Sequence, residues 1–122
     1  MNTITDHSWS DRDIIKGYLD TVCLFHTIRQ QIAWNIHHGL KTLMLDIEKT
    51  RLMADILRFE DIIERIPDRR TRNIIRCRFA LGMDVYSIAE YMGLSGGHVE
   101  RIVIKTMKET EHRQTIPAKR SS

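Results

Sequence analysis

The residues with the clearest chemical potential are three side chains near the C-terminal end of the sequence. His98, Arg101 and Lys105 follow one another at intervals of three and four residues, so they share one side of a helix. A helix that enters the major groove of duplex DNA presents such side chains to bases and phosphates. Arg101 is suited to a bidentate contact with guanine, worth about 1–3 kcal/mol of discrimination between base pairs.

The start of the same predicted helix offers a second kind of anion contact. Ser95 can cap the helix, and Gly96 and Gly97 follow it. Unpaired N–H groups at a helix N-terminus bind phosphate, and glycines allow a close approach. Other basic residues can add phosphate contacts that carry no sequence information: Arg69, Arg72 and Arg76, and nearer the C-terminus Arg113, Lys119 and Arg120.

The charge is unevenly distributed along the 122 residues. Residues 1–67 carry eight Lys/Arg and ten Asp/Glu, a net charge of −2, whereas residues 68–122 carry eleven and six, a net charge of +5. A basic C-terminal half favours a polyanionic partner for that half. The alternative is that these charges are ordinary solvated helix surface.

Composition predicts an all-α protein. With 42% hydrophobic and 29% charged residues, but only six glycines and two prolines, the chain has too few breakers for many short strands. No apolar run approaches the roughly 18 residues of a membrane span, and the first residues lack a signal-peptide pattern. Cys23 and Cys77 are isolated, which is typical of reduced thiols. We therefore expect a cytoplasmic protein without membrane contact.

Caps and breakers divide the chain into five predicted helices, at about 10–38, 41–66, 69–81, 85–92 and from 96 or 97 to 109. The tight Gly39-Leu40 connection makes the first two a long-helix hairpin of coiled-coil character over residues 10–66. A small three-helix domain over residues 67–109 follows the hairpin. Residues 1–9 are predicted to be a mobile leader, and residues 110–122 a disordered polar tail.

One stripe of the second predicted helix has the spacing of a heptad seam. This helix would be about 39 Å long, which exceeds the small domain that follows it. The seam predicts self-association into a homodimer or higher oligomer, so the hairpin would serve oligomerisation or partner binding. The alternative is that the seam packs inside the hairpin of one chain. Its members are Leu45, Leu52, Ile56, Phe59, Ile63 and Ile66.

The segment from residue 85 to residue 105 has the packing pattern of a helix-turn-helix. Ala89 supplies the small contact between the two helices, and Gly93, four residues later, supplies the turn. Val99 and Ile102 supply the inner face of the second helix, and Ile88 completes the core. The alternative is a chance arrangement within another kind of helical bundle.

Three stretches of this region resemble region 4 of the sigma-70 family: Ile66-Pro67-Asp68-Arg69-Arg70, Ile74-Ile75-Arg76-Cys77-Arg78-Phe79 and Ser87-Ile88-Ala89-Glu90-Tyr91-Met92-Gly93-Leu94-Ser95. The resemblance covers residues 66–109 and implies a helix-turn-helix that contacts duplex DNA and RNA polymerase. Nothing resembles the sigma region that opens DNA. The chain is therefore more similar to the small region 4-like regulators of prophages and mobile elements than to a complete sigma factor.

We therefore expect a DNA-binding transcriptional regulator with no enzymatic activity, cofactor or metal. The sequence has no glycine-rich phosphate loop or nucleophile motif, and its histidines lack zinc-type spacing. Gly96 and Gly97 cannot read a base edge, and Glu100 would repel phosphate. Two alternatives thus stay open: a protein adaptor that docks on RNA polymerase or another regulator, and a DNA-binding subunit for phage packaging or recombination.

Overall fold

Helices form every regular element in the part of the chain that the structure describes. The computed structural model describes the backbone of residues 10–120 and the side chains of residues 10–111. The elements are α1 (Asp11–Lys16), α2 (Tyr18–His37), α3 (Leu43–Glu64), α4 (Arg69–Ile75), a π-helical turn (Arg76–Ala80), α5 (Val85–Met92) and α6 (Gly96–Arg120). The all-α class is confirmed. The predicted leader, residues 1–9, lies outside the described residues. None of these helices is both long and apolar enough to cross a membrane.

Side-chain caps begin three of the helices. Ser10 begins α1, Asp68 begins α4 and Asp84 begins α5, and each side chain accepts a hydrogen bond from the amide three residues later. The three distances from amide nitrogen to side-chain oxygen are 3.1, 2.9 and 2.8 Å, respectively. Because such oxygens satisfy N–H groups that have no partner inside the helix, the caps fix where these helices start.

The first predicted helix is divided at Gly17. This residue leaves helical geometry, with φ −94° and ψ 5°, and its N–H donates to the carbonyl of Asp13 at 2.9 Å. The break separates the short α1 from α2, where the sequence predicted one helix over residues 10–38. Because of this break, α1 does not have to continue the axis of α2. Its residues Ile14 and Ile15 are buried in the protein core.

The first half of the predicted seam packs against α2. Leu52 is buried against Phe25, Ile28 and Ile32, with Leu45 and Ile56 at the edges of the same cluster. The connection between α2 and α3 turns at Gly39, which has φ +70° and so takes a conformation that favours glycine.

The second half of the seam lies in a core to which α1, α3, α4 and α6 contribute. We call it the junction core. Phe59 is its centre, with no exposed surface and its ring stacked on that of Tyr18 at 3.8 Å between centroids. Residues from both sides of the predicted boundary at residue 67 therefore share one core. The junction core comprises Ile14, Ile15, Phe59, Ile62, Ile63, Ile66, Ile75 and Met107.

The prediction that the seam serves self-association is therefore corrected. The seam residues are covered by α2 and by the junction core within a single chain. This is the alternative that the sequence left open. The physical reason for the difference is that α1, α2, α4 and α6 offer apolar surface along the whole seam. Burial of the seam therefore does not require a second copy of the chain. The residues concerned are Leu45, Leu52, Ile56, Phe59, Ile63 and Ile66.

The last helix continues beyond its predicted end. α6 extends to Arg120, so residues 110–120 are helical where the sequence predicted a disordered tail from Thr110. Met107 lies in the junction core, and Thr110 is fully buried, its hydroxyl donating to the carbonyl of Thr106 at 2.8 Å. Arg12 of α1 forms an ion pair with Glu111 at 3.5 Å. α1 therefore packs against α6 as far as Glu111.

Replacing Phe59 by alanine tests the junction core. We expect Phe59→Ala to lower the free energy of unfolding by about 3–5 kcal/mol, because it removes a fully buried ring and leaves a cavity. Urea denaturation followed by far-UV circular dichroism measures the loss. The matched control is Leu81→Ala, since Leu81 is 69% exposed, and we expect it to change the value by less than about 0.5 kcal/mol. Equal losses in the two variants would contradict a core centred on Phe59.

Candidate nucleic-acid interface

A small second core positions α5 and α6 relative to each other. Ile88, Ala89 and Val99 are buried together with Ile74 of α4, and Ile102 packs at the edge of this cluster. Ala89 brings little side-chain volume to the contact, so the two helices can approach closely. The structure thus brings together the core residues that the sequence singled out in this segment.

The turn between α5 and α6 depends on the backbone of Gly93. It has φ +72° and ψ +34°, the left-handed conformation that ends many helices. The next amide, of Leu94, returns to the carbonyl of Ala89 at 2.8 Å. Ser95 then accepts a hydrogen bond from the N–H of His98 at 3.1 Å and begins α6. Glycine, a tight return and a cap therefore fix the direction in which α6 leaves α5.

The outer face of α6 carries three exposed cations, which we call the cationic stripe: Arg101, Lys105 and Lys108. Together with Ile104 and Glu109 they line a shallow groove of about 520 Å³. His98 lies nearer the core and is half-buried. Lys108 was not among the predicted contact residues, although it lies seven residues after Arg101 and therefore on the same side of the helix.

A cleft beside the cationic stripe gathers further positive charge from distant parts of the sequence. Its volume is about 330 Å³, and Lys16 of α1 and Arg78 of the π-helical turn line it next to Lys108. The guanidinium of Arg78 donates to the carbonyl of Met83 at 3.4 Å. Lys16 and Arg78 were not predicted as site residues, because no sequence signal places α1 beside α6.

Two of the predicted phosphate-binding arginines are used inside the fold. Arg72 donates to the carbonyl of Ile66 at 2.6 Å. Arg76 forms ion pairs with Glu60 at 3.0 Å and with Glu64 at 3.3 Å, both on α3. These contacts hold α4 and the π-helical turn against the end of α3, and phosphate binding by Arg72 and Arg76 stays a prediction.

Arg69 and the more C-terminal cations complete the predicted phosphate contacts. Arg69 is exposed at the start of α4, on a different helix from the cationic stripe. The side chains of Arg113, Lys119 and Arg120 lie outside the described residues. Phosphate binding by these four cations stays a prediction.

The two glycines at the start of α6 differ in their surroundings. A Cβ atom on Gly96 would lie 2.9 Å from ring atoms of Tyr86, so packing against α5 accounts for this glycine. A Cβ atom on Gly97 would make only an ordinary contact, 3.5 Å from the guanidinium of Arg101. The hydroxyl of Ser95 is engaged as the cap. An anion can therefore approach the helix start most freely at Gly97.

No protein-family model, curated protein or solved structure matches the chain. Among the described residues, no three His, Cys, Asp or Glu side chains converge on a point where they could hold a metal ion. What this surface offers a ligand is therefore positive charge, hydrogen-bond donors and an exposed helix face.

The pH dependence of stability tests the cap that positions α5. The backbone and hydroxyl of Ser87 donate to Asp84 and hold the pKa of that carboxyl below its ordinary value of 3.8. Ionised Asp84 therefore stabilises the fold above pH 3.8, and this stabilisation is lost as the pH falls through its folded-state pKa. We expect Asp84→Ala to lower Tm at pH 7, and the difference from wild type to shrink below pH 3.8.

Asp84→Ser is the control, since serine keeps a capping oxygen that does not ionise. We expect it to lower Tm less than alanine does at pH 7 and to show the same reduced acid dependence. Thermal unfolding monitored by circular dichroism between neutral and acidic pH measures all three proteins. A difference between wild type and Asp84→Ala that is constant across this range would show that the carboxylate does not stabilise α5.

The two glycines on either side of the α6 cap give a matched test of the turn. We expect Gly93→Ala to lower the free energy of unfolding by about 1–2 kcal/mol, because a Cβ atom is sterically crowded in the left-handed conformation. Gly97→Ala, at ordinary contact distance and inside a helix, should leave it unchanged or raise it by up to about 1 kcal/mol. Urea denaturation compares them, and a larger loss at Gly97 would contradict this account of the turn.

Proposed function

We propose that the chain is a DNA-binding transcriptional regulator in which α5 and α6 act as a helix-turn-helix and α6 enters the major groove. The observation that carries this proposal is the position of the cationic stripe. Arg101, Lys105 and Lys108 lie on the exposed face of α6, opposite the buried Val99 that fixes the helix to α5. A helix held by one face and basic on the other is the geometry of a groove-binding helix.

The architecture supports the same interpretation. α4, α5 and α6 contribute residues to one small core, and we assign them to the three-helix domain expected from the sequence. α2 and α3 precede them and pack against each other. In the proposed regulator the α2–α3 pair is a scaffold, and the groove contacts belong to the three-helix part.

Each side chain of the stripe has a distinct role in the proposed complex. Arg101 lies closest to the start of α6 and is the residue suited to read guanine. Lys105 and Lys108 lie one and two turns further along and would bind phosphates. Ile104, which is 49% exposed between them, fits contact with a thymine methyl group. Lys16 and Arg78, in the adjoining cleft, would extend the phosphate contacts along the backbone.

A protein adaptor that docks on RNA polymerase is the second candidate. The observation in its favour is the exposure of two tyrosines on α5: Tyr86 is 78% and Tyr91 is 75% exposed. Tyrosine is enriched at the energetically dominant positions of protein interfaces. Glu100, exposed on α6, also favours a partner other than a polyanion. A packaging or recombination subunit would share the DNA-binding face.

Fluorescence anisotropy with DNA duplexes enriched from a random library tests the proposal. We expect wild type to prefer an enriched sequence and its binding to weaken as salt rises. Arg101→Ala with Lys105→Ala should lose the preference. The slope of log Kd against log salt should become shallower by about one for each phosphate that the variant no longer binds.

The control removes the same charge elsewhere. Lys41→Ala with Lys49→Ala takes two lysines from around the start of α3, away from α6, and should leave sequence preference intact. If no duplex is enriched, and both double variants match wild type, the regulator proposal fails and the adaptor replaces it. Binding of the purified chain to RNA polymerase, abolished in Tyr86→Ala with Tyr91→Ala, would then identify the adaptor.

A further inference from the structure

α3 carries a second heptad stripe on the side opposite the protein core, which we call the outer stripe: Leu43, Ile47, Thr50, Ala54 and Leu57, in steps of four and three residues. Its three large members are 68% (Leu43), 46% (Ile47) and 60% (Leu57) exposed. The core seam occupies the other side of the same helix. α3 is therefore apolar on two opposite faces, of which the fold of one chain covers only one.

The residue types of the outer stripe select a particular kind of partner. In heptad notation Ile47 and Ala54 occupy a positions, and Leu43, Thr50 and Leu57 occupy d positions. Among parallel coiled coils, a β-branched residue at a with leucine at d favours two strands over three or four. Thr50 and Ala54 are small, so two helices can approach closely at the middle of the stripe.

Charges beside the stripe distinguish a parallel from an antiparallel pair. In a parallel pair each g position meets the e position five residues later in the other helix. This places Asp46 against Arg51 of the partner subunit. Reversing the second helix would place Arg51 against Arg51 of the partner subunit, and Asp46 against Glu60 of the partner subunit. Opposite charges meet in the parallel pair, and like charges meet in the antiparallel one.

The present partners of these charged groups are compatible with a second contact. Arg51 pairs with Glu48 at 3.3 Å, and both side chains are partly exposed. Asp46 accepts a hydrogen bond from the hydroxyl of Thr42 at 2.9 Å and is half-buried. Surface pairs of this kind are weak, and a carboxylate accepts several hydrogen bonds. A second helix can therefore share these groups without breaking the fold.

An open groove continues the apolar surface beside the stripe. It has a volume of about 410 Å³ between α2 and α3, and Met53, Ala54 and Leu57 line it with Phe25 beneath. Met53 is the g residue between Asp46 and Glu60. Side chains of a second helix that packs on the outer stripe would thus find an apolar surface on this flank.

From these observations we infer that a second copy of this chain docks in parallel along the outer stripe of α3. An exposed apolar stripe with heptad spacing is costly on a protein that stays monomeric. A parallel pair places the two α5–α6 units at the same end of the dimer. Only this consequence rests on the proposed DNA binding, since the dimer itself requires no DNA.

Sedimentation equilibrium of the full chain tests the dimer. We expect wild type to dimerise, and Ile47→Glu with Leu57→Glu to raise the dimer Kd by at least about tenfold while the helical circular dichroism is unchanged, because charge would be buried in the seam. The control is Ile36→Glu with Leu81→Glu, the same residue types at 65% and 69% exposure, which should keep the wild-type Kd. A wild type that is monomeric at every concentration, or a dimer that both double variants retain, would overturn the inference.

Cysteine cross-linking tests the orientation. In a Cys23→Ser background, which removes the exposed native thiol, Ala54→Cys should form a disulfide-linked dimer on mild oxidation. Ile47→Cys and Leu57→Cys proteins, differing in mass and mixed, should each link to their own kind. Preferential linkage between residues 47 and 57 would show an antiparallel pair and overturn the inference. Failure of DNA binding would leave both experiments unaffected, so the two proposals fail separately.

Discussion

The burial of one stripe of α3 is the constraint on which the rest of the structure depends. Its first half, around Leu52, is covered by α2, and its second half, around Phe59, is covered by α1, α4 and α6. Among the buried residues that the structure describes, α3 is the one helix with members in both of these cores. α1 and α6 therefore meet because both pack on the second half of α3.

This shared core determines what the C-terminal part of the chain can present. Met107 anchors α6 in the junction core, while Val99, two turns earlier, anchors it against α5. Two anchors on one face fix the rotation of α6 about its axis, so the opposite face must point outward. The exposed position of Arg101 and Lys105 thus follows from the burial of Val99 and Met107.

The π-helical turn divides the positive charge of its segment between structure and surface. Arg76 pairs with Glu60 and Glu64 on α3, whereas Arg78, two residues later, lines the cleft beside α6. π-helical turns are rare in proteins, and those that occur are frequently found at functional sites. Because residues two apart on a helix point to different sides, Arg76 and Arg78 reach two different parts of the molecule.

Local features of the structure could be predicted from the sequence, and spatial relations between distant segments could not. The caps at Ser10, Asp68 and Asp84 and the turn at Gly93 depend on residues within a few positions of one another. Periodicity identifies the core face of α3, but it does not say what covers that face. For the same reason, the sequence of the seam alone predicted that a second copy of the chain would cover it. The polar residues after Glu109 are likewise typical of a disordered tail until α1 is known to lie beside them, where Arg12 meets Glu111.

The unequal charge of the two halves has a different meaning once the fold is known. Acidic residues of the N-terminal half pair with a basic residue of the C-terminal half: Glu60 with Arg76 at 3.0 Å, and Glu64 with Arg76 at 3.3 Å. Part of the positive charge of the C-terminal half is therefore neutralised internally, so the net charge of a segment overstates what a partner meets. Lys16, from the acidic half, instead joins the basic surface of α6. The basic surface beside α6 is defined by the packing of α1 on α6 and crosses the division seen in the sequence.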